Sequence, residues 1–161
     1  MSSLTLYELL PAVKEVLDLG KEASFMPNGK SMKPFLLGGK SEVLVKKPCF
    51  PLKRYDIALY KAQNGALVLH RVVKVRVKGE SATYVFRGDN TYQNEIGVTA
   101  DQILAVVARF KRKNKWRNAD SKSLRLLAFL WCLIYPVRAA VRFLWRLPIR
   151  ALRKIKRMIL K

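Results

Sequence analysis

Histidine is almost absent from this chain of 161 residues, where His70 stands alone. A single imidazole leaves little for a zinc site. The two cysteines, Cys49 and Cys132, lie far apart and offer neither metal-ligand spacing nor a disulfide framework. No metal and no cofactor are therefore expected. Acid is also scarce: 11 Asp and Glu face 32 Lys and Arg, a formal net charge of +21. No apolar run reaches the roughly 20 residues that span a bilayer, and the run from Leu126 to Val137 stops at 12. Residues 1–20 contain Glu8, Glu15 and Asp18, so they lack the basic-then-apolar layout of an export signal. That predicts a cytoplasmic chain. No glycine occurs from Ser123 to Lys161.

What is present divides into segments. Half of the residues are apolar, enough to build one packed domain. The charge is uneven. From Lys111 onward there are 16 Lys or Arg and one acid, Asp120, for a net of +15, which leaves +6 on the preceding residues. Such asymmetry predicts a folded domain carrying a basic appendage for an anionic partner. Residues 1–22 place Leu6, Leu9, Leu10, Val13, Val16 and Leu17 at helical spacing. Thr5 and Glu8 resemble a capping box and Gly20 a stop, while Pro11 suggests a break or a late start. The stripe predicts a helix packed on the domain.

Over residues 23–111 the period changes. Short apolar runs at 42–45, 56–61, 66–77, 83–87 and 103–110 alternate with Asn28-Gly29, Gly38-Gly39, Asn64-Gly65, Lys78-Gly79 and Gly88-Asp89-Asn90. Asn64-Gly65 between two such runs is a hairpin signal, since both residue types tolerate positive φ. The fold class expected is mainly β: a compact antiparallel domain with an N-terminal helix and a basic helical extension. Residues 112–122 read as a basic linker. Over 123–161, Arg138, Arg142, Arg146, Arg150 and Lys154 recur every four residues, with Trp145, Leu144 and Ile149 falling largely elsewhere on the helix. Basic residues on one face and Trp, Phe and Leu on the other suit a helix lying in an anionic membrane surface. The bland alternative is a basic face packed onto the β domain.

Three motifs in the β segment combine into a site: Gly29-Lys30-Ser31-Met32-Lys33-Pro34-Phe35-Leu36; Leu67-Val68-Leu69-His70-Arg71-Val72-Val73, preceded by Arg54-Tyr55-Asp56-Ile57-Ala58-Leu59-Tyr60; and Arg87-Gly88-Asp89-Asn90. Each is weak alone. In this order and spacing they resemble the conserved blocks of type I signal peptidases and their LexA-like relatives, over residues 24–110. The resemblance implies a serine endopeptidase that removes a leader or pro-segment, with Ser31 as nucleophile and His70 at the position of the general base. A neutral imidazole can take the serine proton near pH 7. Small apolar side chains beside the scissile bond are the implied preference. Ser31, Gly29 and Met32 are the expected oxyanion and substrate-binding positions. Gly29 replaces a serine found in many bacterial members, so backbone N–H groups must hold the oxyanion. Two acids compete to orient His70: Asp89, in an intact motif, and Glu95, where the His-type relatives place theirs. Asp89 is preferred on its motif.

Other function classes are carried alongside. A nucleic-acid-binding role for the basic tail is disfavoured, because a phosphate backbone does not call for so much Leu, Ile and Trp. A catalytically silent scaffold with a membrane-binding tail would fold normally and cleave nothing. The expected partners are a leader-bearing peptide or protein and an anionic membrane, which the tail would meet from the inner face.

Overall fold

The structure is a computed structural model and describes residues 6–79 and 81–145. It is mainly antiparallel β, with one helix before the sheet and two after it. Helix α1 (Leu6–Asp18) runs through Pro11 without a break. Pro11 lies past the first turn, so it forfeits the bond its N–H would make to Tyr7 O, and the helix continues through it. Thr5 lies outside the described residues. Val13 and Leu17 of α1 are buried in the core, so the apolar stripe faces the sheet as its spacing predicts.

Eight strands follow: β1 (Ala23–Phe25), β2 (Val43–Lys46), β3 (Ile57–Lys61), β4 (Leu67–Lys78), β5 (Ser81–Arg87), β6 (Glu95–Thr99), β7 (Ile103–Arg112) and β8 (Lys115–Asn118). Their order in the sheet is β1-β2-β7-β3-β4-β5-β6, with β8 paired to β7. β3 is buried on both faces. Ile57 and Leu59 enter the core cluster beneath α1, while Ala58 and Tyr60 enter a second cluster with Val72, Tyr84 and Phe86. The period of two in a strand explains why this run is apolar throughout.

The Asn64-Gly65 hairpin forms, but with a longer loop than a two-residue turn. Ala62 N–H bonds Ala66 O at 2.8 Å, and only Gly65, at φ 82°, takes positive φ. Residues 112–122 are not a plain linker. Lys113 and Asn114 both adopt positive φ, reverse the chain, and pair β8 back onto β7. All four β8 residues are exposed, so no apolar alternation marked this strand in advance.

Helix α2 (Lys122–Leu133) is followed by α3 (Tyr135–Trp145), and the two axes differ by 46°. Neither helix alone is long and apolar enough to cross a membrane. Arg146, Arg150 and Lys154 lie outside the described residues.

Candidate active site

Strand register assembles one side of the site. His70 on β4 sits opposite Ala58 on β3, and Phe86 on β5 sits opposite both Val72 and Glu95. Because side chains alternate along each strand, Tyr60, His70, Phe86 and Glu95 share one face. Tyr60 stacks on Phe86, with ring centroids 4.3 Å apart. Its hydroxyl donates to Glu95 Oε2 at 2.6 Å and lies 3.4 Å from His70 Nδ1.

Loops bring the other side. Ser31 opens a turn closed by Leu36 N–H to Met32 O at 2.9 Å. The third motif clasps this turn: Asn90 N–H donates to Ser31 O at 2.7 Å, and Asn90 Nδ2 donates to Lys30 O at 3.3 Å. Gly88 fills the narrow space between the motifs. A Cβ there would fall 2.8 Å from Ser31 O and 2.9 Å from His70 Nε2. The Ser31 main-chain oxygen and the His70 ring therefore border one small gap that admits no side chain. Within the described residues Ser31 Oγ makes no hydrogen bond, and the Ser31 and Met32 N–H groups are likewise unengaged. A Ser–His pair without a hydrogen bond is common before substrate closes the geometry.

Beside Ser31 is a cavity of about 120 Å³ lined by Gly29, Met32, Leu36, Gly38, Leu67 and Leu69 among others. It suits a short apolar side chain. Its wall depends on Gly38, where a Cβ would collide with the Gly29 backbone. On the far side of His70 a wider cleft of about 350 Å³ is lined by Gln63, Asn64, Thr91, Gln93, Asn94 and Glu95. Burial lowers the pKa of His70 from its ordinary 6.5, against the opposing pull of Glu95 and then Asp89. The imidazole is thus neutral at pH 7, the form a base requires.

Asp89 stands elsewhere. Both of its oxygens are taken by Arg71, from Nε and NH2 at 2.7 Å each, and both side chains are buried. Arg71 also donates to Tyr55 O at 3.0 Å and lies over the Phe35 ring at 4.6 Å. This ion pair ties the three motifs together and leaves Asp89 no bond to His70. Glu95 is the acid that reaches His70, and it does so through Tyr60. Sequence reasoning gives Tyr60 no role, although it ends the block that precedes the His70 motif. Its period-two placement with Ala58, on a strand paired to the one bearing His70, was the available signal.

The C-terminal helices dock on the same loop. Trp131 Nε1 and Arg138 NH2 donate to Asp89 O at 2.8 and 3.0 Å, and Tyr135 OH donates to Tyr92 O at 2.9 Å. Arg138 lies over Trp131 at 3.8 Å, and Arg142 over Tyr92 at 4.7 Å. Those two arginines, expected to face lipid headgroups, instead engage the β domain. The opposite side of the helices is apolar and bare. Leu126, Phe129, Leu130 and Leu133 are exposed on α2, as are Phe143 and Leu144 on α3, whereas Val141 and Trp145 line the same groove as Arg138, Arg142 and Tyr92.

Among the described residues no three His, Cys, Asp or Glu side chains converge on a metal position. No protein-family model matches the chain, and no curated protein matches it.

Proposed function

We propose that the chain is a serine endopeptidase of signal-peptidase type, with Ser31 as nucleophile and His70 as general base. The observation that supports this reading most is that the Ser31 main chain and the His70 ring both border the space beside Gly88. In the proposed reaction His70 Nε2 accepts the Ser31 proton as Oγ attacks the scissile carbonyl. The Ser31 and Met32 N–H groups receive the oxyanion, worth about 10²–10³ in rate per donor in comparable sites. His70 then passes its proton to the leaving amine. A water, deprotonated by the same imidazole, attacks the acyl carbonyl, and His70 returns that proton to Ser31 Oγ as the acyl group leaves as a carboxylic acid. The small apolar cavity takes the side chain next to the cleaved bond, and the substrate class is a leader-bearing peptide or protein.

A panel of leader-type peptides analysed by mass spectrometry tests this. Cleavage at one bond, lost in both Ser31→Ala and His70→Ala, is expected. Cleavage that survives Ser31→Ala would overturn the mechanism.

The bare apolar side of α2 and α3 supports a second property, attachment to an anionic membrane surface. Cosedimentation with anionic vesicles, partly retained at high salt, is the expected result. Binding that collapses with salt would indicate a nucleic-acid or purely electrostatic partner instead.

A further inference from the structure

We propose that Tyr60 is a positioning residue that links Glu95 to His70, so that the group behind Ser31 is His70–Tyr60–Glu95 and not a histidine bonded directly to an acid. The proposal rests on the peptidase reading of Ser31 and His70.

The direction of the hydrogen bonds carries the argument. A tyrosine hydroxyl has one proton to give. Here it goes to the Glu95 carboxylate at 2.6 Å, the shorter of the two contacts. The Tyr60 oxygen can then only accept from His70 Nδ1, 3.4 Å away. That places the imidazole proton on Nδ1 and leaves the Nε2 lone pair toward Gly88 and Ser31. When Nε2 takes the serine proton, the new positive charge faces an oxygen polarised by Glu95, and the 3.4 Å contact has room to shorten. The Tyr60 proton stays between Tyr60 and Glu95 throughout. Complete burial of Tyr60 and its stacking on Phe86 hold the hydroxyl in place. Burial, then the bond to Glu95, raises the phenol pKa far above its usual range, so the proton is not lost at any working pH. Asp89 cannot play the same part, since Arg71 occupies both of its oxygens.

His70 is the only histidine, which makes the test clean in the full-length chain. Long-range ¹H–¹⁵N spectra at pH 8 are expected to show Nδ1 protonated and Nε2 bare. In Tyr60→Phe the proton should move to Nε2. Glu95→Ala should do the same by another route, because the freed Tyr60 hydroxyl then donates to Nδ1. Should Tyr60→Phe misfold, Glu95→Ala decides alone. On a cleaved peptide, Tyr60→Phe should lower kcat about ten- to hundredfold, the worth of one hydrogen bond to a charged group, with KM little changed. A wild-type proton on Nε2, or Nδ1–H retained in the folded variants, would overturn the proposal. The spectra need no substrate. Failure of the peptidase reading, seen as activity surviving Ser31→Ala, is thereby separate from failure of the relay.

Discussion

Replacing Gly88 with alanine probes the closeness of Ser31 and His70 with one methyl group. Gly88 does not sit in the left-handed region, so its backbone accepts alanine and the cost arises from contact alone. The added Cβ would meet Ser31 O at 2.8 Å, His70 Nε2 at 2.9 Å and His70 Cδ2 at 3.0 Å. Ordinary contact begins about half an ångström further out. Ser31 O cannot retreat cheaply, because Asn90 N–H holds it at 2.7 Å. The imidazole must yield, moving away from Ser31 and straining its approach to Tyr60. Misplacement by an ångström costs about 10²-fold in rate, so half that shift predicts a loss of about tenfold in kcat/KM. Overpacking of this kind costs about 1–3 kcal/mol of stability, leaving the fold intact. Steady-state cleavage and urea unfolding, run on one preparation, give both quantities. Full activity in a folded Gly88→Ala protein would refute the reasoning, since it would mean that Ser31 and His70 need not meet across this gap.

Further expectations concern Asp89 and pH. Asp89→Ala should lower stability by about 3–5 kcal/mol, because Arg71 is left buried without its partner. The His70 proton should stay on Nδ1 in the folded fraction, as nitrogen spectra would show. A shift to Nε2 would restore Asp89 to the acid role. With the His70 pKa lowered by burial, the acid limb of kcat/KM should lie below pH 6.5, and activity should be flat above it. Stability follows the same sign. The unfolded chain binds the His70 proton more readily, so this stabilisation is full above pH 6.5 and falls as pH drops toward the lowered folded value. Urea titrations of wild type and His70→Gln at several pH values would expose the difference. Glu95→Gln should lower the His70 pKa further, since the Glu95 charge raises it; Asp89, neutralised by Arg71, is the smaller opposing influence.

Much of the sheet was legible because its strands alternate or run apolar between turn residues. The strands at 57–61, 67–78 and 103–112 fall close to their apolar runs. β6 was not legible. It is short, holds Gly97 at positive φ and exposes Ile96, so nothing in its pattern distinguishes it from a loop. Glu95 is named in advance only by the resemblance; its place in the site depends on that strand's register with β5, which no local signal encodes. The appeal of Asp89 was a motif effect: Gly88-Asp89-Asn90 does bear on the site, but through Arg71 and Ser31 and not through His70. Helical spacing marked Arg138 and Arg142 as one flank of a helix. It could not say that this flank meets Asp89 O and Tyr92, since spacing defines a face and not its partner.

Acyl transfer to Ser31 tests the central claim most directly and requires no native substrate. Short peptides ending in alanine as an activated ester would be mixed with the full-length protein and quenched early. Intact mass and peptide mapping would then locate the adduct. The account predicts one acyl group on Ser31 in the wild type, none on Ser31→Ala, and strongly slowed labelling in His70→Ala. Labelling confined to Cys49 or Cys132, or equal in His70→Ala and wild type, would contradict it.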